Sequence, residues 1–220
     1  MSIKAIFKIF IMIFVIQGAQ LSLIAQDNEP MGVDFKIKKV EINELPNNNE
    51  GTPGRPAITS IDKNWIEIFV EYEVHPKRDT KPATPAEAFT PEVQFNFVMG
   101  IDDVTKPKGK EWYDSYSFFS TEVVYLNVYD GAPHYASVYI HPNLVKRYGG
   151  SSAFRSNTKA FVYVEISAGG KKKDAYSTDK ALLKNIDWKS AISTTSGVLL
   201  KKTKTPWNES WWGTYEMIKE

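Results

Sequence analysis

His75, His134 and His141 are the only imidazoles in a chain of 220 residues that contains no cysteine. Thiol catalysis and cysteine-ligated zinc are excluded at once. His75 and His141 each precede a proline, and the odd separation of His134 and His141 puts them on opposite faces of any regular strand they share. No metal site is expected from them. The stretch "GGSSAF" lacks the glycine-flanked serine of a nucleophile elbow. Asp102 and Asp103 open "DDVTKPKGKE", where lysines stand in place of the further oxygen ligands that calcium needs, and a turn between strands accounts for them better. No pair of carboxylates is singled out for glycoside hydrolysis. The reading is of a protein that is not an enzyme and carries no cofactor.

Aromatic residues give the stronger signal. "EVVYLNVYDGAPHYASVYIH" reads as a hairpin around 130–133, with Tyr125 and Tyr129 on one strand and Tyr135 and Tyr139 on the other. If Tyr129 faces Tyr135, then Tyr125 faces Tyr139, and four phenol rings form one exposed platform for a sugar or a protein. A slip of one residue removes the platform, and the rings then pack under loops or in a second layer.

The tail "KTPWNESWWGTYEMIKE" holds Trp207, Trp211 and Trp212, half of the six tryptophans. As a helix capped by Thr205, with Pro206 in its first turn, it places Trp207, Trp211, Tyr215 and Ile218 within a stripe about 80° wide. As a strand, it sets Trp211, Tyr215 and Met217 opposite Trp212 and Ile218. Both readings separate Trp212 from Trp211. The first tryptophans are expected to close the core, and Trp212 joins Tyr125, Tyr129, Tyr135 and Tyr139 as the candidate binding residues.

The elements that must position these rings follow a period of two. In "WIEIFVEYEV", Ile66, Ile68, Val70, Tyr72 and Val74 share one face and three glutamates take the other. Strands are predicted at 33–42, 65–74, 93–101, 121–129, 135–141, 160–166 and 197–203, with a weaker one near 115–119. Seven or eight short strands without repeated helices predict an all-β, immunoglobulin-like antiparallel sandwich. Within 33–42 the parity flips at Lys38 and Lys39, so a bulge, or a strand that changes sheets, is expected there. Long Pro- and Asn-rich loops fall near 43–64 and 75–92, and short helices or turns near 142–149 and 179–191. Lys171 to Lys173 read as a solvated loop, not a nucleic-acid site.

At the N-terminus, Lys4 and Lys8 precede an apolar run over 9–16, which is too short to span a bilayer. This is the layout of a signal peptide over 1–25, cleaved after Ala25. The product, one domain over 26–220, is expected outside the cytoplasmic membrane without a stable span: periplasmic, outer-membrane-associated or extracellular. About 195 residues can bury about 70% of their unfolded surface, enough for a core without disulfides. The leader lacks the glycine and the long apolar helix of a type IV pilin.

The signal peptide, the cysteine-free sandwich pattern and the closing "GVLLKKTKTPWNESWWGTYE" together resemble an exported immunoglobulin-like family encoded beside type IV pilus-like genes in Verrucomicrobia-type bacteria. Thr205, Pro206, Trp207, Tyr215 and Glu216 carry the resemblance. It implies an assembly or protein-binding role in the cell envelope, with a protein partner there. The alternative is a carbohydrate-binding module that stacks a glycan on exposed Tyr and Trp rings.

Overall fold

The computed structural model describes residues 33–45, 64–76, 89–129, 131, 133–156, 158–184, 187–206 and 217–219. The period-two pattern becomes long strands because a pleated chain sends successive side chains to opposite faces. The first sheet sets β1 (Val33–Leu45), β2 (Trp65–Pro76), β5 (Pro133–Ile140) and β9 (Leu199–Lys201) side by side in that order, each pair antiparallel. The second sheet sets out β10 (Met217–Ile218), β4 (Tyr116–Tyr129), β3 (Phe89–Asp102), β6 (Ala160–Ala168) and β7 (Lys171–Ser177), while β8 (Thr194–Thr195) joins β4 in parallel. Strands 1-2-5 against 4-3-6-7 form the Greek-key arrangement of an immunoglobulin-like sandwich, the fold class expected from the sequence. Ten strands stand among the described residues. The segments predicted at 115–119 and 121–129 are one strand, and β7, β8 and β10 are additional.

Ile68, Val70 and Tyr72 of β2 and Phe95, Phe97 and Met99 of β3 belong to one core between the sheets, all fully buried. Each such side chain contributes about 1.5–3 kcal/mol relative to leaving it in water. Tyr72 meets Phe95 edge-on at 4.9 Å, a geometry that sets the positive ring edge against the negative ring face.

The parity flip in β1 is a bulge. Ile37 pairs with Tyr72 and Lys39 with Glu71, so Lys38 is the extra residue, and both Ile37 and Val40 still reach the core. Of the two expectations for this strand the bulge is the one realised, because β1 stays on β2 throughout. The Ile37 N–H donates to Asp174 Oδ2 of β7 at 2.7 Å, linking the edges of the two sheets. An edge amide that would otherwise invite another strand is thereby occupied.

One correction concerns Lys171 to Lys173, which are not a loop but the first half of β7. Gly169 and Gly170, at φ 58° and 70°, make the two-residue turn that pairs β7 with β6. The strand is hard to read because it is an edge, where exposed lysines oppose further pairing and suppress the apolar alternation.

Four short α-helices stand among the described residues: α1 (Pro142–Arg147), α2 (Ser151–Phe154), α3 (Ala181–Lys184) and α4 (Trp188–Ala191). The His141 Nδ1 caps α1 by accepting the Asn143 N–H at 3.1 Å. Asp179 Oδ1 accepts the Ala181 N–H and opens α3. Helices α3 and α4 cover the outer face of the second sheet, where Val98, Phe118, Phe161, Tyr163, Leu182 and Trp188 form a second buried cluster.

Gly100 lets this cluster lie flat on β3, because a Cβ there would sit 2.3 Å from the Phe161 ring. Gly100→Ala is therefore expected to cost about 1–3 kcal/mol by overpacking, as read from urea midpoints. A second substitution, Phe161→Leu, should relieve part of that loss.

Candidate functional site

The three histidines are dispersed. His75 is exposed beside Glu73, His134 is buried against Tyr72, and His141 caps α1. No three His, Asp or Glu side chains gather as a metal site among the described residues. Ser151 and Ser152 of "GGSSAF" begin α2 and line a polar hollow of about 320 Å³ with Glu44, Asn64 and Lys146. The Glu44 carboxyl lies below its ordinary range through hydrogen bonds from Asn64 and Ser151 and the charge of Arg155.

Asp103 closes a turn, as the sequence suggests. Its Oδ1 accepts the Thr105 N–H at 3.0 Å and the Thr105 hydroxyl at 2.6 Å, and its Oδ2 accepts the Ser117 hydroxyl at 2.7 Å. These bonds, from Thr105 first and then Ser117, hold the carboxyl below its ordinary range. A folded pKa below the unfolded value of about 3.9 adds stability that is complete above that value. It is lost as pH falls through the folded pKa. Between about pH 6 and about pH 2 the wild type is expected to lose more stability than Asp103→Asn, as the difference between their urea midpoints at each pH.

The tyrosine platform does not form. Its two strands belong to different sheets: β4 pairs with β3, and β5 pairs with β2 and β9. The connection that reads as a hairpin turn crosses between layers, and the Gly131 N–H, at φ 105°, donates to the Val74 carbonyl of β2. Tyr125 lies fully buried between the sheets, and its hydroxyl accepts the Ser137 N–H of the opposite layer at 3.1 Å. Tyr139 is buried on the outer face of the first sheet. It donates to Glu67 Oε1 at 3.0 Å and accepts the Ser137 hydroxyl at 2.9 Å. Lys202 is also buried; burial holds its amine below the ordinary range, and the Glu67 charge offsets only part of that. Tyr135 is half-buried and stacks on Phe69 with ring centroids 5.3 Å apart. Trp212, with Trp207, Trp211 and Tyr215, lies outside the described residues.

Tyr129 is the candidate that stays at the surface, with 50% of its area exposed. Tyr125 and Val128 both point into the core although an odd spacing separates them, because Asn127 takes a left-handed turn at φ 54° within β4. Asparagine tolerates that conformation better than most residues. The turn faces Pro91, which has no N–H to offer the ladder, and it sends Tyr129 outward. There Tyr129 meets Phe89 edge-on at 5.2 Å, and Phe89 is itself 42% exposed.

Beside them β10 adds a third apolar side chain. Ile218 packs on the core, so Met217, opposite Leu126, projects outward with 59% exposed. The Lys219 N–H donates to the Val124 carbonyl, and its amine pairs with Glu92, which holds β10 in place. Phe89 and Tyr129 are thus exposed at one end of the β3-β4 ladder, and Met217 is exposed on β10, three positions back along β4 at Leu126. Tyr129 is a candidate from the sequence but its neighbours are not, since Phe89 sits in what reads as a loop and Met217 lies in the tail, where the tryptophans draw the reading.

A protein-family model matches residues 26–220. The chain belongs to that family. Among solved structures, it is similar to the crystal structure of a protein from Akkermansia muciniphila, with a TM-score of 0.67 and 23% identity over 89% of this chain and 97% of that one. That likeness is one of fold. No curated protein matches the chain. The family match begins at Gln26, the residue that follows the expected leader cleavage.

Proposed function

We propose that this chain is a non-enzymatic exported protein that binds another protein of the cell envelope, as an accessory to a type IV pilus-like apparatus. The observation that carries the reading is the Phe89, Tyr129 and Met217 surface. Phe89 and Tyr129 stand against each other at the surface and Met217 is exposed on the neighbouring strand β10, and an aromatic pair and a methionine suit the centre of a protein interface. The signal peptide layout supports export. The pilus association rests on the resemblance carried by Thr205, Pro206, Trp207, Tyr215 and Glu216, and fold alone does not supply it.

The glycan reading loses its platform, since Tyr125 and Tyr139 are buried in separate layers. A photo-crosslinking residue placed at Met217 in the native cell is expected to trap a single envelope protein. The same group at Lys146, on α1, should trap little. Equal labelling from both positions would count against a defined docking surface.

A further inference from the structure

At the other end of the same ladder, the loop between β3 and β4 carries a different combination. Val104 is 93% exposed, and Lys106, Lys108 and Lys110 follow on an exposed stretch that contains no acidic residue until Glu111. Trp112, 44% exposed, stands at the foot of the loop on a 3-10 turn. We propose that this loop docks on an anionic lipid surface. Lys108 and Lys110 would meet headgroup phosphates while Val104 and the indole of Trp112 enter the interfacial layer; the Lys106 amine donates to the Tyr116 carbonyl at 2.6 Å and braces the loop instead.

The loop is built to present these groups. Asp103 fixes one end through Thr105 and Ser117, and its N–H donates to the Ser115 carbonyl at 2.9 Å. At the other end the Glu111 N–H donates to Asp114, against which Gly109 is packed so closely that a Cβ would collide. Trp112 is braced edge-on by Tyr116, Phe161 and Trp188, with centroids 5.6 to 6.3 Å away. A pinned loop pays little ordering entropy on contact. Charge complementarity favours a phosphate-bearing surface, because each lysine near an anionic leaflet adds to the attraction. The isolated aliphatic tip and the amphipathic indole favour a bilayer over an acidic peptide, since both prefer the boundary between headgroups and hydrocarbon.

Co-sedimentation of the exported protein with phosphatidylglycerol vesicles and with phosphatidylcholine vesicles tests the proposal. Retention on the anionic vesicles should exceed that on the neutral ones by about tenfold or more and should fall in high salt. Lys108→Glu with Lys110→Glu should remove roughly tenfold or more of that retention. Val104→Asp should weaken it separately, and the melting temperature of all variants should stay near wild type because these side chains are exposed.

Equal retention on both vesicle types would overturn the proposal, as would retention that survives the loop substitutions. Soluble polyglutamate that competes as effectively as the vesicles would assign the loop to acidic polymers instead. Phe89→Ser with Tyr129→Ser is expected to leave vesicle retention unchanged, which separates this outcome from protein docking at the opposite end.

Discussion

Trp188→Ala is expected to lower the unfolding free energy by about 3–5 kcal/mol. The indole is buried beneath α4, stacks on Phe118 at 6.4 Å and meets Phe161 and Tyr163 edge-on, both at 5.7 Å. Its Nε1–H donates to the Leu182 carbonyl at 3.3 Å, which ties α3 to α4. Alanine would leave a cavity between the helices and the sheet and remove the bond that joins them. Urea unfolding should show a lower midpoint with an unchanged slope. Trp188→Phe should fall between the two, because it keeps part of the packing but not the donor. A loss below about 1 kcal/mol for alanine would mean that the outer cluster contributes little to the core.

Tyr125→Ala should cost a similar amount, about 3–5 kcal/mol, for a different reason. The ring fills the space between the layers and meets Phe95 edge-on at 5.6 Å. Tyr125→Phe separates packing from hydrogen bonding. It keeps the ring but removes the acceptor for the buried Ser137 N–H, and an unsatisfied buried donor costs about 1–3 kcal/mol. A nearly neutral Tyr125→Ala would contradict a core role and return the residue to the surface.

Much of the fold is legible because a half-buried strand writes its burial into alternate positions. Ile66, Ile68, Val70, Tyr72 and Val74 are all fully buried, and the bulge at Lys38 is visible in the parity of Ile37 and Val40. The edge strand β7 is not legible. Its apolar contribution is confined to Ala175 and Tyr176, too few to write an alternation, and its Lys172 pairs with Glu165 and donates to the Tyr163 hydroxyl.

The tyrosine site fails for two physical reasons. Three residues between β4 and β5 look like a hairpin, yet periodicity reports which side of a strand is buried and says nothing about which sheet the next strand joins. The single left-handed Asn127 then reverses parity between Tyr125 and Tyr129, so one becomes core and the other surface. An asparagine opposite a proline is the local signal that could have marked this turn. Phe89 and Met217 come next to Tyr129 only through the register of β3 and β10, which pairing sets and sequence spacing does not.

Docking of an envelope protein on the Phe89, Tyr129 and Met217 surface is measured by paired affinity capture from the native cell envelope. The exported protein and a Phe89→Ser, Tyr129→Ser variant would be compared after melting curves confirm that both are folded, since exposed substitutions should stay within about 0.5–1 kcal/mol of wild type. The wild type should retain one envelope protein in stoichiometric amount and the variant should lose about tenfold or more of it, as expected when aromatic anchors each worth more than 1 kcal/mol are removed. Equal recovery of that partner by the folded variant would contradict it.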